Sequence, residues 1–112
     1  MSRRGNKYRA IKTEVDGIVF DSRSEARRFR VLKLLEKAGE ITGLECQPKF
    51  RLEVNGVLIQ TYKADFAYTL KHNGERVVED VKSKPTAAKL TFIRTKKLMK
   101  AVHGIDVQVV FA

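Results

Sequence analysis

The feature that most constrains the fold is an Asn-Gly pair, Asn73-Gly74, set between an apolar run that ends at Leu70 and a second run from Arg76 to Lys82. A two-residue turn needs positive φ at both central positions, which Asn and Gly reach at least cost, so the pair predicts a β-hairpin. With those two residues as the turn, Asp65 faces Lys82 and Ala67 faces Asp80. Directly opposed residues point to the same side of a sheet, so Asp65, Asp80 and Lys82 are expected on one face. Glu79 is expected on the other, opposite Tyr68 and bound either to it or to a helix residue.

Two acids beside an ammonium are costly in a fold, because like carboxylates repel and each is partly desolvated. A divalent cation resolves the conflict. Mg²⁺ is held by one or two carboxylates plus waters and substrate phosphate oxygens, and it lowers the pKa of a bound water. The hairpin therefore reads as a metal-dependent phosphodiesterase site, with Lys82 orienting the water or stabilising charge on the phosphorane. The alternative is a Lys–Asp cross-strand pair on a solvated face, worth less than about 1 kcal/mol.

The 112 residues suffice for one domain with a modest core. Lys and Arg number 23 against 13 acids, a formal net charge of +10, while 43% of the residues are hydrophobic. A basic folded domain attracts phosphates, so nucleic acid is the expected partner, although a ribosomal or other RNA-binding protein has the same balance. One cysteine, Cys46, excludes an internal disulfide and suits a reducing compartment; its expected role is that of a small buried apolar residue. With that one Cys and two distant histidines, His72 and His103, a Cys/His zinc site is excluded. No apolar run approaches the roughly 20 residues of a membrane span, and no signal-peptide pattern opens the chain, so the cytoplasm is the expected location, that of the bacterial host if the chain is phage-encoded.

Residues 1–9, with Arg3, Arg4, Lys7 and Arg9, read as a flexible basic arm able to grip phosphate, ahead of a single domain over 10–112. Asp16-Gly17 punctuates a small hairpin. From Ser22 the apolar period becomes helical, with Ala26, Phe29, Leu32 and Leu35 as the buried stripe, Val31, Leu34 and Ala38 widening it, and Gly39 ending the helix. Arg23, Arg27, Arg28, Arg30 and Lys33 fall on its exposed side. After Ile41 to Leu44, three strands are expected as a meander over 50–54, 57–70 and 76–82, with Asn55-Gly56 as a second tight turn. The apolar parity of the long middle strand changes, which predicts a bulge or bend near Gln60 and Thr61. Ser83 to Thr86 breaks the sheet, a second, basic helix runs from Ala87 to Val102, and Ile105 to Phe111 alternates as a last strand that must cross over to lie parallel to a neighbour. The order is αβββαβ: an α/β (α+β) fold with a mixed sheet flanked by two helices.

A helix acid ahead of the sheet, an Asp on the second strand and an acid-x-Lys on the third resemble the PD-(D/E)XK nuclease superfamily and its restriction-endonuclease-like core. Within it, Asp80-Val81-Lys82-Ser83-Lys84 is similar to the acid-x-Lys-Ser-Arg strand of archaeal Holliday-junction resolvases. Phe20-Asp21-Ser22, Glu25-Ala26, Gln47-Pro48, Ala64-Asp65-Phe66 and Val78-Glu79-Asp80-Val81-Lys82 together look like a small phage-borne nuclease-like family related to those resolvases, over a span from Lys7 to Phe111. Ala64 stands where the superfamily name has Pro.

The resemblance implies that Asp65 and Asp80 bind Mg²⁺ or Mn²⁺ with the Val81 carbonyl as a further ligand, that Lys82 assists the attacking water, and that Glu25 reaches the same metal or a second one. It implies a DNA endonuclease acting on branched substrates such as Holliday junctions, in recombination or phage DNA processing. Junction cleavage needs two nicks placed by symmetry, so a homodimer follows from that function. Two residues keep other readings. Ser22-Arg23-Ser24-Glu25 is also a capping box, and Gln47 is also a hydrogen-bonder where the sheet begins, besides any role behind the catalytic groups. Tyr62, Phe66 and Tyr68 are expected in the core; Arg27, Lys84, Arg94, Lys96 and Lys97 are candidates to contact DNA or are simply solvated. A non-catalytic nucleic-acid-binding module, and a nickase, restriction-like or transposition nuclease of the same fold, remain as rival functions.

Overall fold

The structure is a computed structural model and describes residues 11–112; the basic arm over 1–9 lies outside the described residues. The fold is α+β. In chain order the elements are β1 Thr13–Val15, β2 Ile18–Phe20, α1 Arg23–Lys37, β3 Ile41–Cys46, β4 Lys49–Val54, β5 Val57–Lys63, β6 Phe66–Leu70, β7 Arg76–Lys82, α2 Lys84–Ala87, α3 Leu90–His103 and β8 Gln108–Phe111.

A mixed four-stranded sheet of order β3-β6-β7-β8 forms the centre, antiparallel except for β7 and β8, which run parallel as the crossover through α3 requires. β1 and β2, and β4 and β5, form separate two-stranded ribbons. The expected long strand over 57–70 is thus two strands, broken at Ala64 and Asp65 where the chain leaves the β4–β5 ribbon and enters the main sheet. The first antiparallel strand of that sheet is Ile41–Cys46 and not 50–54. Its period was hidden by a bulge between Thr42 and Glu45, where Gly43 takes φ 64°. The parity change of the middle strand is a register shift opposite Leu52 and Glu53, which leaves Ile59 as the unpaired residue.

Two of the three tight-turn signals act as expected. Asp16-Gly17 and Asn55-Gly56 both hold positive φ and close two-residue turns between Val15 and Ile18 and between Val54 and Val57. Asn73-Gly74 does not. Its Asn side chain accepts from the Glu75 N–H at 2.9 Å, Gly74 N–H bonds to the Leu70 carbonyl at 2.8 Å, and Leu70 N–H bonds to the Glu75 carbonyl. The turn therefore occupies 71–74, and the register pairs Phe66 with Glu79 and Ala67 with Val78, two residues from the expected pairing. A shift of two preserves parity, so the face assignments survive.

Both faces of the sheet are covered. Phe20, Ala26, Phe29, Leu32, Ile41, Phe66 and Tyr68 form the core beneath α1, and Leu52, Tyr62, Ala64, Ala67, Val78, Phe92, Met99 and Val107 form the core on the α3 side. α1 begins at Ser22, whose hydroxyl accepts from the Glu25 N–H at 3.1 Å, and ends in a Schellman motif: Gly39 N–H bonds to the Glu36 carbonyl and Glu40 N–H to that of Leu35. Val31 and Leu34, expected to widen the buried stripe, are exposed at 44% and 67%, so the buried face of α1 is the narrow one. The second long helix starts at Leu90 rather than Ala87, because Ser83 caps a separate short turn, α2, with Pro85 in its first turn.

Candidate functional site

Asp65 sits at the break between β5 and β6, and Asp80 near the C-terminal end of β7; both share the parity of Ala67 and Val78 and so lie on the α3 side of the sheet. The break is held by the backbone. Gln47 N–H donates to the Asp65 carbonyl at 2.8 Å, Asp65 N–H to that of Glu79 at 3.2 Å, and Ala64 N–H to that of Pro48 at 3.0 Å. Gln47 does this at φ 56°, a left-handed conformation that costs a residue with a side chain, the more so before proline. Its amide reaches the Val19 carbonyl at 3.3 Å, so Gln47 positions the strand that carries Asp65, and its side chain bonds to neither acid.

The two carboxylates are fixed by different donors. Asp65 Oδ2 accepts the Val81 N–H at 2.7 Å. Asp80, 2% exposed, accepts a short hydrogen bond from the Tyr62 hydroxyl, and Lys82 Nζ lies 3.9 Å from its Oδ2. Burial first, then the charge of Asp80, pushes the Asp65 carboxyl up to about 8, against the lowering effect of the Val81 N–H; Glu25 adds to the rise from farther away. Burial and the bond to Asp80 also drive the Tyr62 phenol far upward, so it remains a donor. Lys82 lies over the Phe92 ring, 4.8 Å from its centroid, and Lys96 lies 5.9 Å from the same ring.

Glu25 is half-buried at the start of α1. Burial, followed by the charge of Asp21, raises its carboxyl; hydrogen bonds with the Asp21 backbone and the Ser22 side chain oppose this, and Asp80 adds a small upward push. It shares a cleft of about 490 Å³ with Ser22, Arg23, Val81, Lys82 and Thr86. Among the described residues no three His, Cys, Asp or Glu side chains converge closely enough to enclose a metal by themselves. Asp65 and Asp80 form the tight pair, and Glu25 faces the same end of the sheet from across Lys82.

Glu79 occupies the opposite face, as its parity requires. Arg28 grips it with two bonds of 2.8 Å and the Tyr68 hydroxyl donates at 2.5 Å. Arg28 is thereby half-buried rather than on the exposed side of α1. Positions 25, 28 and 32 fall on one stripe at helical spacing, which is the signal in the sequence that could have found it. Tyr62 lies in the core as expected, but its bond to Asp80 was missed.

The cationic candidates are dispersed. Arg27, Lys84, Arg94 and Lys97 are exposed, Arg27 donating to Ser24 at 3.2 Å, and Lys96 is half-buried beside Phe92. Arg3, Arg4, Lys7 and Arg9 lie outside the described residues. His103 joins α3 to β4 through the Arg51 carbonyl at 2.8 Å and packs on Phe50, while His72 is exposed in the turn. Cys46 is half-buried at the edge of the α1-side core, with its thiol pushed up by burial. No described helix is long and apolar enough to cross a membrane.

Residues 5–111 match a protein family described as a protein of unknown function (DUF1064). No curated protein matches the chain.

Proposed function

The chain belongs to the DUF1064 family, and we propose that it is a Mg²⁺- or Mn²⁺-dependent endodeoxyribonuclease that hydrolyses phosphodiester bonds. The observation that carries this reading is the pairing of Asp65 with Asp80, in which one carboxylate is buried beside another and raised to about 8 with an ammonium next to them. The donor set fits a hard divalent cation, which takes one or two carboxylates and completes its shell with water and phosphate oxygens. Asp65 and Asp80 would hold it, with the Val81 carbonyl as a further oxygen and Glu25 available from the adjoining cleft. When bound, the ion supplies an activated water and polarises the phosphate.

The chain's own residues do the rest. The Val81 N–H and the Tyr62 hydroxyl fix the two carboxylates in place. Lys82 is short of a full partner at 3.9 Å from Asp80, so it can orient the attacking water or meet charge on the phosphorane. The net charge of +10 supplies attraction for a polyanion. Branched substrates such as Holliday junctions follow from the resemblance to the resolvase branch of the PD-(D/E)XK nucleases, a homodimer follows from the two symmetric nicks that such a substrate needs, and the single cysteine suits a cytoplasmic setting.

One observation favours a second reading. Asp65 and Asp80 both already accept hydrogen bonds from the protein, as structural acids of a non-catalytic nucleic-acid-binding module would. One assay separates the two. Wild type and Asp80→Ala are incubated with a labelled four-way junction and a matched duplex, with Mg²⁺ and with chelator. The nuclease reading expects Mg²⁺-dependent nicks by wild type alone, confined to the junction if the branch preference holds. Binding without cleavage of either substrate selects the module.

A further inference from the structure

A second cleft, of about 300 Å³, opens on the other side of Lys82, lined by Lys63, Asp80, Lys82, Thr86, Lys89 and Phe92 among others. It holds more positive charge than its one carboxylate uses. Asp80 is already met by Tyr62 and Lys82. Lys63 and Lys89 enter no ion pair among the described residues, and both are exposed. Lys63 is also directly opposed to Lys49 across the β4–β5 ribbon. Like charges placed opposite one another on a ribbon destabilise it, so the fold accepts a cost here that a bound anion would remove.

The position of this cleft says which kind of anion. It shares Lys82 and Thr86 with the larger cleft that contains Glu25 and Arg23, so the two clefts adjoin on either side of Lys82. A single small anion would occupy one side. A chain of phosphates spaced along a sugar backbone would extend across both, with one phosphate between Lys63 and Lys89 on the Asp80 side of Lys82 and its neighbour on the Arg23 side. The ring of Phe92, with Lys82 and Lys96 against it, forms an apolar wall beside that path.

We infer that the Lys63–Lys89 cleft binds one backbone phosphate on the Asp80 side of Lys82, next to a phosphate on the Arg23 side, with Lys49 extending the contact across the ribbon, so that it sets which phosphodiester bond of a DNA strand reaches the acids. The inference deepens the phosphodiesterase reading and rests on it for the identity of the strand.

Its test is binding of labelled duplex and single-stranded DNA by fluorescence anisotropy across a salt series, in chelator so that no cleavage intervenes. Wild type is compared with Lys63→Gln/Lys89→Gln and with Lys37→Gln/Lys71→Gln, which removes the same charge from the opposite end of the sheet. Losing one phosphate contact lowers the slope of log K against log salt by roughly one, so the cleft variant should fall by about one unit and the control far less. Equal decreases in the two variants would overturn the inference, since net charge alone would then explain binding. A Mg²⁺-dependent cleavage assay adds a second readout: the cleft variant should raise KM and retain kcat. Cleavage with unchanged KM overturns the inference and leaves the nuclease standing. The predicted slope difference without any cleavage by wild type supports the cleft as a phosphate site while removing the nuclease reading.

Discussion

Glu79 and Asp80 are consecutive on β7 and almost equally buried, at 1% and 2% exposed, yet the two faces of the strand treat their charges differently. On the α1 side, Glu79 meets a guanidinium with two bonds and a phenol with a third. Its charge is balanced and its oxygens are occupied. On the α3 side, Asp80 meets a phenol, an ammonium at 3.9 Å and a second carboxylate whose pKa it raises. Burial by itself therefore does not mark a functional acid. The mark is a buried acid whose nearest charges leave the site unbalanced, where another cation would relieve the conflict.

Breaking the balanced side should have the largest effect on stability. Arg28→Met leaves Glu79 buried and uncompensated, and loss of one partner of a buried pair costs about 3 kcal/mol or more. Urea denaturation should show this, and adding Glu79→Gln should recover part of the stability; an unchanged midpoint for Arg28→Met would mean that the pair does not stabilise the fold.

The unbalanced side should behave in the opposite sense. The folded pKa of Asp65 is raised to about 8, above its unfolded value, so the folded state holds this proton more tightly than the unfolded chain does. The contribution of the group to stability is then fully present below the unfolded pKa, near 4, and is lost as pH rises towards 8. Asp65→Asn keeps an acceptor for the Val81 N–H and removes the charge. Allowing for solvent screening, it should stabilise the metal-free protein by up to about 2 kcal/mol at pH 8 and flatten the pH profile of melting. A variant less stable than wild type at that pH would contradict the repulsion between the two acids.

A smaller effect belongs to Tyr62→Phe, which removes one hydrogen bond from Asp80 and should cost about 1 to 2 kcal/mol in chemical denaturation. If Tyr62 positions Asp80 for a cation, the same variant should also weaken Mn²⁺ binding, an effect that a packing role alone would not produce.

The contrast between faces was legible in the sequence, because it depends on parity, and parity survives any even shift of register. The register itself was not legible. Asn55-Gly56 and Asn73-Gly74 are the same dipeptide, and only the first forms a two-residue turn. At the second, the Asn73 side chain caps the Glu75 amide and lengthens the loop, a choice made by local hydrogen bonds that composition does not encode. The break at Ala64 and Asp65 was hidden for a related reason: apolar residues at 62, 64, 66 and 68 keep one period through a point where the chain changes sheets. Asp65, Asp80 and Lys82 could be named from spacing alone. Tyr62, Lys63 and Lys89 could not, since their meeting around Asp80 depends on how the β4–β5 ribbon and α3 pack beside the main sheet.

The central claim, that the Asp65–Asp80 pair is built for a divalent cation, is tested most directly by calorimetric titration of Mn²⁺ into wild type, Asp65→Asn and Asp80→Asn at pH 8. The account predicts saturable binding to wild type, abolished or strongly weakened in each variant, with protons released as Asp65 ionises. Equal heats in all three proteins, or no saturable binding to wild type, would contradict it and leave the two acids as structural.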